Sequence, residues 1–408
     1  MKPALFDPAR HEPVRPTAWN ETLARDTVAA LVADAESRFT AQGYWPIHEG
    51  DGRDEDGQPF KTPLYYGACG VFWALHYLQS VGAVRLERSY LDDLDTLLAR
   101  NRTWLGDQAV TEAASFLMGE TSIRMMSWLD DASGGRSADA LRALIEGNLA
   151  HPSREMLWGS PSTMLAALFM HERTGDPVWA DLFRLTADRL HEQLEWSDEH
   201  GCRFWSQDMY GKHFTFLGAG HGFVGNLQPL IRGRHLLEPA RWQQWHDTIV
   251  DTIGKTAICV DGRANWNHEL IPWDGKVRPM LMQFCHGAPG FVICLADLPG
   301  NSLDDLLVAA GEAVWAAGPL TKGPGLCHGT AGNGYALLAL YRRTGDAMWL
   351  ERARRFAMHA IEQSDRAAQL QGHRRYSLCT GDLGLAVYLH HCLTGQGGYP
   401  TVDVFFPD

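Results

Sequence analysis

Apolar and polar positions along the chain follow two kinds of helical pattern. One kind is an almost uninterrupted Ala- and Leu-rich run, as in YALLALYRRTGD (335–346) and MLAALFMHERTGD (164–176). Such runs predict buried helices that end at Thr-Gly-Asp, where the glycine takes the C′ position and the aspartate begins the next element. The other kind places apolar residues three and four apart with Arg and Glu between them, as in DAMWLERARRFAMHAIEQ (346–363). This pattern predicts amphipathic outer helices.

A short glycine turn precedes the buried runs and recurs along the chain. Its clear copies are YYGACG, LWGS, GHGF, FCHGAPG, CHGTAG and CTGDLG, and FLMGE is a degenerate copy. The first glycines of the seven copies are Gly67, Gly119, Gly159, Gly222, Gly287, Gly329 and Gly381. Successive glycines are 40 to 65 residues apart, which is enough for two helices of about 11–15 residues with their connections. The sequence therefore predicts one helical hairpin repeated seven times.

The pattern also predicts the fold class. No long stretch alternates with period two, so the fold is expected to be all-α. Seven inner and seven outer helices close most simply into an α/α toroid, with all seven turns at one end of the barrel. We expect one domain over residues 1–408, with the repeats from about 60 to 395 and a helical N-terminal segment over 17–40. Function is expected where the turns gather, although the copies at Gly67, Gly119, Gly159 and Gly381 are interpreted as tight packing turns without chemistry.

Composition and charge narrow the classes of partner. The chain has 36 Lys and Arg against 49 Asp and Glu, a formal net charge of −13, and no basic run, so nucleic acid is not an expected partner. The N-terminus lacks the apolar core of a signal peptide, and no segment approaches the roughly 18 apolar residues of a membrane span. We therefore expect a cytoplasmic protein whose eight cysteines are reduced thiols.

Two successive turns repeat the sequence Cys-His-Gly. FCHGAPG carries Cys285 and His286, and CHGTAG carries Cys327 and His328. A closed ring places successive turns side by side, so Cys285, Cys327 and His328 can meet. Two thiolates and one imidazole favour Zn²⁺, and three protein ligands leave a fourth position for water or substrate, as in catalytic zinc sites. Spacing alone also allows two buried structural cysteines beside a hydrogen-bonded histidine.

Four of the turns, together with the sevenfold repeat, resemble the lanthionine synthetase C-like proteins. These turns are GAGHG (218–222), FCHGAPG (284–290), GLCHGTAGN (325–333) and SLCTGDLG (377–384). The family comprises bacterial lantibiotic cyclases and eukaryotic glutathione-binding relatives. The resemblance covers roughly residues 60 to 395 and implies a seven-unit α/α toroid. It also implies that Cys285, Cys327 and His328 bind zinc.

The reaction that the resemblance implies joins a thiol to an electrophilic alkene. A substrate thiol in the open zinc position loses its proton readily, because the dication stabilises thiolate. In the family the alkene is a dehydroalanine or dehydrobutyrine residue of a peptide or protein, and addition at its β-carbon leaves an enolate that needs a proton. His221 matches the motif histidine of the family and is the expected general acid. The alternative is a turn histidine with a hydrogen-bonding role only.

Four further residues bear on the substrate and the proton donor. Lys322 matches a lysine of the glutathione-binding branch and would hold a carboxylate of glutathione or stabilise the enolate. Arg278 is a second expected anion contact, and His286 is expected to line the site as a polar residue that is not a metal ligand. Glu155 aligns with an acidic residue of the bacterial cyclases and would orient a proton donor. The plainer interpretations are a solvated lysine, a hydrogen-bonded turn histidine and a helix-capping or surface carboxylate.

Two positions depart from the pattern of the peptide cyclases. Those enzymes commonly place Trp before the first zinc cysteine and Arg a few residues earlier, where this chain has Phe284 and Leu281.

The leading hypothesis is zinc-dependent thioether formation with glutathione or a peptide cysteine as the thiol, and the alternative is a non-catalytic glutathione- or partner-binding zinc protein of the same fold. A different α/α-barrel enzyme, a glycosidase or prenyl cyclase, would need paired acids or Asp-rich diphosphate motifs, and neither is clear. The acidic loop 50–61 would cover the barrel mouth or be solvated.

Overall fold

Seven inner helices begin directly after the seven predicted glycines. The computed structural model describes residues 3–52, 60–129 and 138–407, so most of the acidic loop lies outside the described residues. In these ranges the inner helices are α2 (Ala68–Ser80), α5 (Glu120–Met125), α7 (Ser160–Thr174), α9 (Phe223–Arg232), α11 (Ala288–Leu295), α13 (Thr330–Thr344) and α15 (Asp382–Thr394). Each has its predicted glycine as N-cap, and most of their residues are buried. The turn positions were therefore predicted correctly.

Seven outer helices alternate with the inner ones over the same described ranges. They are α1 (Glu21–Arg38), α3 (Leu94–Leu105), α6 (Ala138–Asn148), α8 (Pro177–Glu192), α10 (Pro239–Thr256), α12 (Asp304–Ala317) and α14 (Ala347–Gln371), and a single turn, α4 (Ala109–Glu112), follows α3. Helix α1 lies within the predicted N-terminal segment and packs on α15. The described chain contains no helix with the length and apolarity that crossing a bilayer requires. The α/α toroid of the prediction is confirmed.

The Thr-Gly-Asp sequences act as predicted at two inner-to-outer connections. Gly175 and Gly345 adopt left-handed φ angles of 70° and 71° and end α7 and α13. The next residues, Asp176 and Asp346, accept hydrogen bonds from the backbone N–H groups of Val178 and Met348 and so cap α8 and α14. One tripeptide thus ends an inner helix and starts an outer one.

The strands are short and peripheral to the helical architecture. Three antiparallel pairs of three-residue strands occur among the described residues: β1 (Glu195–Ser197) with β2 (Cys202–Phe204), β3 (Gln207–Met209) with β4 (Lys212–Phe214), and β5 (Ile258–Val260) with β6 (Arg263–Asn265). In the β3–β4 pair Gln207 lies opposite Phe214. The chain that follows β4 pairs with the loop after β6 through a bridge between Phe216 and Glu269. This bridge joins the segments that lead into the fourth and fifth turns.

Hydrogen bonds join each turn to the next around the ring. Five backbone bonds link six of the turns: Tyr65 N to Leu117 O (3.1 Å), Cys379 N to Tyr65 O (3.0 Å), Cys327 N to Cys379 O (2.8 Å), Cys285 N to Cys327 O (3.2 Å) and Gly220 N to Cys285 O (3.0 Å). Two side-chain bonds complete the circuit: Ser115 Oγ to Leu157 O (2.6 Å) and Asn226 Nδ2 to Arg154 O (2.8 Å). The first and seventh units are therefore joined directly, and the turns form one continuous surface.

A segment after α15 fills the centre of the ring. In this channel segment (residues 399–406) the Phe405 side chain is fully buried, and its carbonyl accepts a hydrogen bond from Trp73 Nε1 at 2.8 Å. Phe405 also contacts the rings of Phe116 and Phe169. Gln228 of α9 donates to the Val402 carbonyl at 3.0 Å. Because these partners come from the first four units, the segment lies along the axis that the inner helices enclose.

Glu120, the first residue of α5, is a buried carboxylate between two arginines. It contacts Arg102 at 2.6 Å and Arg124 at 2.7 Å. Burial opposes its ionisation, but the two guanidinium groups outweigh burial and lower the pKa of Glu120. Because the pKa of Glu120 is lower in the folded state, its ionised form stabilises the fold at pH values above the unfolded-state pKa of about 4.3. This stabilisation is lost as the pH falls through the folded-state pKa.

We expect Glu120→Gln to lower the free energy of unfolding at pH 7 by about 1–3 kcal/mol, since both arginines lose a charged acceptor. Urea unfolding at pH 7 and at stepwise lower pH measures this, and the difference from wild type should shrink in acid. The matched control is Glu21→Gln, which breaks an exposed helix pair with Arg25 and should cost less than about 0.5 kcal/mol. Equal losses in the two variants would contradict the prediction.

Candidate active site

The structure brings together the side chains of the two Cys-His-Gly turns. The ligand atoms of Cys285, Cys327 and His328 all lie within 4.8 Å of one another. Both cysteines are buried and the histidine is half-buried. Gln283 Nε2 donates a hydrogen bond to the Cys285 sulfur at 3.1 Å. The three side chains therefore converge on one point at the turn end of the barrel.

The two thiols are coupled to each other. The hydrogen bond from Cys327 lowers the pKa of Cys285 against the effect of burial, and a hydrogen bond with His328 lowers it further. The same bond, together with burial, raises the pKa of Cys327. The pKa values of the two thiols therefore shift in opposite directions. A bound dication would favour the deprotonated form of both cysteines.

The donor set fits a zinc ion. Two sulfurs and one imidazole nitrogen are zinc-preferring ligands, and tetrahedral coordination at Zn–S about 2.3 Å and Zn–N about 2.0 Å needs donors roughly 3.5–3.8 Å apart. The observed separations of at most 4.8 Å allow this with small side-chain adjustments. Three protein donors leave one tetrahedral position for a fourth ligand.

The fourth and fifth turns approach each other closely because glycines lie between them. A Cβ atom on Gly220 would lie 2.7 Å from the Cβ of Cys285, and one on Gly218 would lie 2.2 Å from the Cys285 carbonyl oxygen. No other residue fits at these two positions without displacing the cysteine. The close approach places His221, the residue after Gly220, beside the candidate metal ligands.

His221 forms a hydrogen bond with Glu155. The imidazole Nδ1 lies 2.8 Å from Glu155 Oε2, and the Glu155 side chain is fully buried. Burial alone would lower the pKa of His221, but the Glu155 carboxylate and the negative charge at Cys285 outweigh burial and raise it. The bond through Nδ1 leaves Nε2 as the nitrogen available to the cavity.

Glu155 is held in place by the third turn. Its two oxygens accept hydrogen bonds from the backbone N–H groups of Leu157 (2.8 Å) and Trp158 (2.7 Å). The interpretation of Glu155 as a surface carboxylate is therefore wrong, because its side chain is enclosed and contacts His221. A fixed carboxylate that orients an imidazole is a common arrangement around acid–base histidines.

His286 packs behind His221 and outside the residues that line the cavity. Its ring lies 5.3 Å from Phe216, 6.1 Å from His221 and 5.8 Å from His268. Its Nδ1 has no partner among the described residues. Burial lowers the pKa of His286 to about 4, so the ring is neutral near pH 7. The structure supports a packing position next to the general-acid candidate.

The two predicted anion contacts lie away from the cavity. Lys322 is exposed on the loop that precedes the sixth turn. Arg278 pairs with Asp274 at 2.7 Å and lies 3.7 Å from Glu269, in a surface groove that His268 also lines. Neither side chain lines the cavity that Cys285, Cys327 and His221 share. A substrate would therefore contact Lys322 or Arg278 only through a portion that extends outside this cavity.

A cavity of about 180 Å³ connects the cysteines with His221. The described residues that line it include Tyr65, Phe116, Met156, Leu157, Ala219, Gly220, His221, Phe284, Cys285, Cys294, Cys327, Cys379, Tyr399, Pro400, Thr401 and Val402. Most of these side chains are apolar. Two of the three candidate metal ligands, Cys285 and Cys327, and the candidate proton donor His221 therefore face one cavity.

Several of the lining residues were missed by the sequence analysis. Tyr65 precedes Gly67 and forms a hydrogen bond with Cys327, and Cys379 precedes Gly381 and lines the same cavity. Their turns had been expected to have packing roles only. The position two residues before a turn glycine, which Cys285 and Cys327 share with Tyr65 and Cys379, was the available signal. Tyr399 and Thr401, by contrast, lie in no repeat.

Comparisons with known proteins agree with this architecture. The family model described as lanthionine synthetase C-like protein matches residues 58–402. The LanC-like protein GCL1 of Arabidopsis thaliana is 31% identical over 245 residues, which are 57% of this chain and 53% of that protein. The Glutathione S-transferase LANCL1 of Danio rerio is 44% identical over 158 residues, 38% of this chain and 36% of that protein. The matched region thus spans about half of the first relative and about a third of the second.

The solved structure of nisin cyclase superposes with a TM-score of 0.59 and covers 91% of this chain and 94% of that one. At 15% sequence identity this likeness establishes the fold alone. The family model, in contrast, covers most of the chain, including all seven turns. The chain therefore belongs to the lanthionine synthetase C-like family.

Proposed function

We propose that the protein binds one zinc ion through Cys285, Cys327 and His328 and adds a thiol to a dehydroalanine or dehydrobutyrine residue of a peptide or protein. The observation that carries the proposal is that Cys285 and Cys327 of the candidate metal cluster line the same cavity as His221, whose imidazole is bonded to Glu155. Bound zinc would supply a thiolate from the substrate thiol at neutral pH.

His221 delivers the proton that completes the addition. Attack of sulfur on the β-carbon leaves the α-carbon in need of a proton, and His221 Nε2 is the free nitrogen of an imidazole whose Nδ1 is bonded to Glu155. Glu155 fixes the orientation of the ring and raises the His221 pKa, so a larger fraction is imidazolium near neutral pH. The thiol releases one proton to solvent, and solvent returns one proton to His221, so the protons balance.

The cavity walls protect the reactants from water. Phe116, Met156, Leu157 and Val402 line the space next to the cysteines and His221. In an apolar enclosure the carboxylate–imidazole pair and the thiolate interact more strongly than in bulk water. The Tyr65 hydroxyl, bonded to Cys327, restrains one of the two sulfur ligands.

Glutathione is the thiol that we propose first. The relative from Danio rerio is named a glutathione S-transferase, and Phe284 and Leu281 stand where the peptide cyclases commonly have Trp and Arg. Lys322 is exposed beyond the cavity, so it would contact a carboxylate of glutathione from outside while the thiol enters. A cysteine of the same peptide is the alternative donor.

Mass spectrometry separates the two donors. Zinc-loaded protein is incubated with glutathione and a dehydroalanine peptide, and in parallel with the same peptide carrying its own cysteine and no glutathione. We expect the first peptide to gain the mass of one glutathione. Cyclisation of the second would leave its mass unchanged but protect its cysteine from alkylation. If neither product forms above the level without protein, the protein is the non-catalytic zinc protein of the alternative hypothesis.

A further inference from the structure

The channel segment brings one tyrosine to the cavity that no motif predicted. The Tyr399 ring lies 4.1 Å from the Phe284 ring, centroid to centroid, with an interplanar angle of 14°. Tyr335 packs edge-on against it at 5.3 Å. Phe284 directly precedes the candidate ligand Cys285. The stacked ring is thus held close to the candidate metal site, and the position of its hydroxyl is restrained.

The Tyr399 hydroxyl is buried and has no hydrogen-bond partner in the described part of the chain. Two nearby buried tyrosines do have partners: the hydroxyl of Tyr335 bonds His391 at 2.8 Å, and that of Tyr388 donates to the Ala353 carbonyl at 2.7 Å. An unpaired buried hydroxyl is unfavourable, and phenylalanine would fill the same space without it. Because Tyr399 lines the cavity, a ligand atom that reaches this hydroxyl would supply the missing partner.

The proposed reaction supplies an atom that needs a donor. As sulfur bonds to the β-carbon, the π electrons of the alkene move toward the carbonyl group, and the carbonyl oxygen of the dehydro residue gains negative charge. His221 then gives its proton to the α-carbon and regains one from solvent. Preorganised donors aimed at such an oxygen are a major source of rate enhancement in enzymes that form oxyanions.

Building on the function proposed above, we propose that the Tyr399 hydroxyl donates a hydrogen bond to the carbonyl oxygen of the dehydroamino acid and stabilises its charge during thiol addition. Tyr65 is already bonded to Cys327, and His221 serves the α-carbon. Tyr399 is therefore the phenol on the cavity wall that is free to bond the substrate. Thr401, whose buried hydroxyl is also unpaired among the described residues, is the competing donor.

Two phenylalanine variants of the zinc-loaded protein test the proposal, one as the test and the other as its control. Tyr399→Phe keeps the stacked ring and should lower kcat for glutathione addition at least tenfold. Its zinc content, KM and Tm should stay at the wild-type values. Tyr388→Phe removes a hydroxyl that is already paired and lies outside the cavity, so it should lower Tm and leave kcat unchanged. An unchanged kcat in Tyr399→Phe, or a loss of rate accompanied by loss of zinc or of Tm, overturns the proposal.

Infrared spectroscopy without thiol gives a readout that does not depend on turnover. A dehydroalanine peptide with an isotope-labelled carbonyl should show a lowered C=O stretching frequency on wild-type protein and no such shift on Tyr399→Phe. A shift that persists in Tyr399→Phe and disappears in Thr401→Val would assign the donor to Thr401 instead. Wild-type protein that adds no thiol defeats the proposed function and this inference together, whereas active wild type with an equally active Tyr399→Phe defeats this inference alone.

Discussion

Cys285→Ala should lose its zinc and all measurable thiol addition. The substitution leaves only Cys327 and His328 as protein donors, and two ligands rarely retain zinc against exchange with buffer. Elemental analysis should give one zinc per wild-type chain and a small fraction of that in the variant. Stoichiometric zinc in Cys285→Ala would show that the ligand assignment is wrong.

The same variant should also melt at a lower temperature, because the metal ties the fifth turn to the sixth and its binding free energy adds to that of folding. A chelator should lower the Tm of wild type and leave that of Cys285→Ala unchanged. Cys294→Ala is the matched control: Cys294 lines the same cavity from α11 but lies outside the Cys285–Cys327–His328 cluster, so this variant should keep its zinc.

His221→Asn is expected to keep zinc and thiol binding and to add thiol a hundredfold or more slowly, the usual range for loss of a general acid. Single-turnover rates at saturating glutathione and peptide measure the chemical step. Asparagine retains a polar side chain of similar reach, so a change in Tm should be small. Turnover equal to wild type in a zinc-replete variant would remove His221 from the mechanism.

Glu155→Gln tests the partner of His221 through the pH dependence. A general acid works while protonated, so the rate should fall as the pH rises through the His221 pKa. The carboxylate raises that pKa, and its loss should therefore move the falling limb of the pH–rate profile to lower pH. A limb that stays in place would mean that Glu155 does not set the protonation of His221.

Local sequence was enough to predict the scaffold. Each of the seven glycines begins an inner helix because the turn demands a residue without a Cβ, and that demand is visible in the chain itself. Gly329 is an example: a Cβ there would lie 2.4 Å from the Gly325 nitrogen. The order of the turns along the chain also gives their neighbours in a ring, so the meeting of Cys285, Cys327 and His328 followed from sequence order.

The remaining features depend on contacts that no repeat encodes. Tyr399 reaches the cavity because the channel segment folds back along the axis, and nothing in its sequence marks that path. Lys322 and Arg278 matched expectations by residue type, but tertiary packing placed one in solvent and paired the other with Asp274. Side-chain identity predicts chemistry, whereas position relative to an enclosed space is decided by the whole fold.

The direct bond between the first and seventh turns has a consequence for how the molecule is made. The Tyr65 carbonyl cannot accept its hydrogen bond from the Cys379 N–H until Cys379 emerges from the ribosome, after most of the chain has been made. The inner face of α2 therefore stays uncovered through nearly all of synthesis. Contacts this distant in sequence form slowly, and partly made rings expose apolar helices that aggregate. Translation pauses, or a chaperone that shields the early units, should therefore affect the yield of this protein more strongly than that of a chain whose neighbours in space are neighbours in sequence.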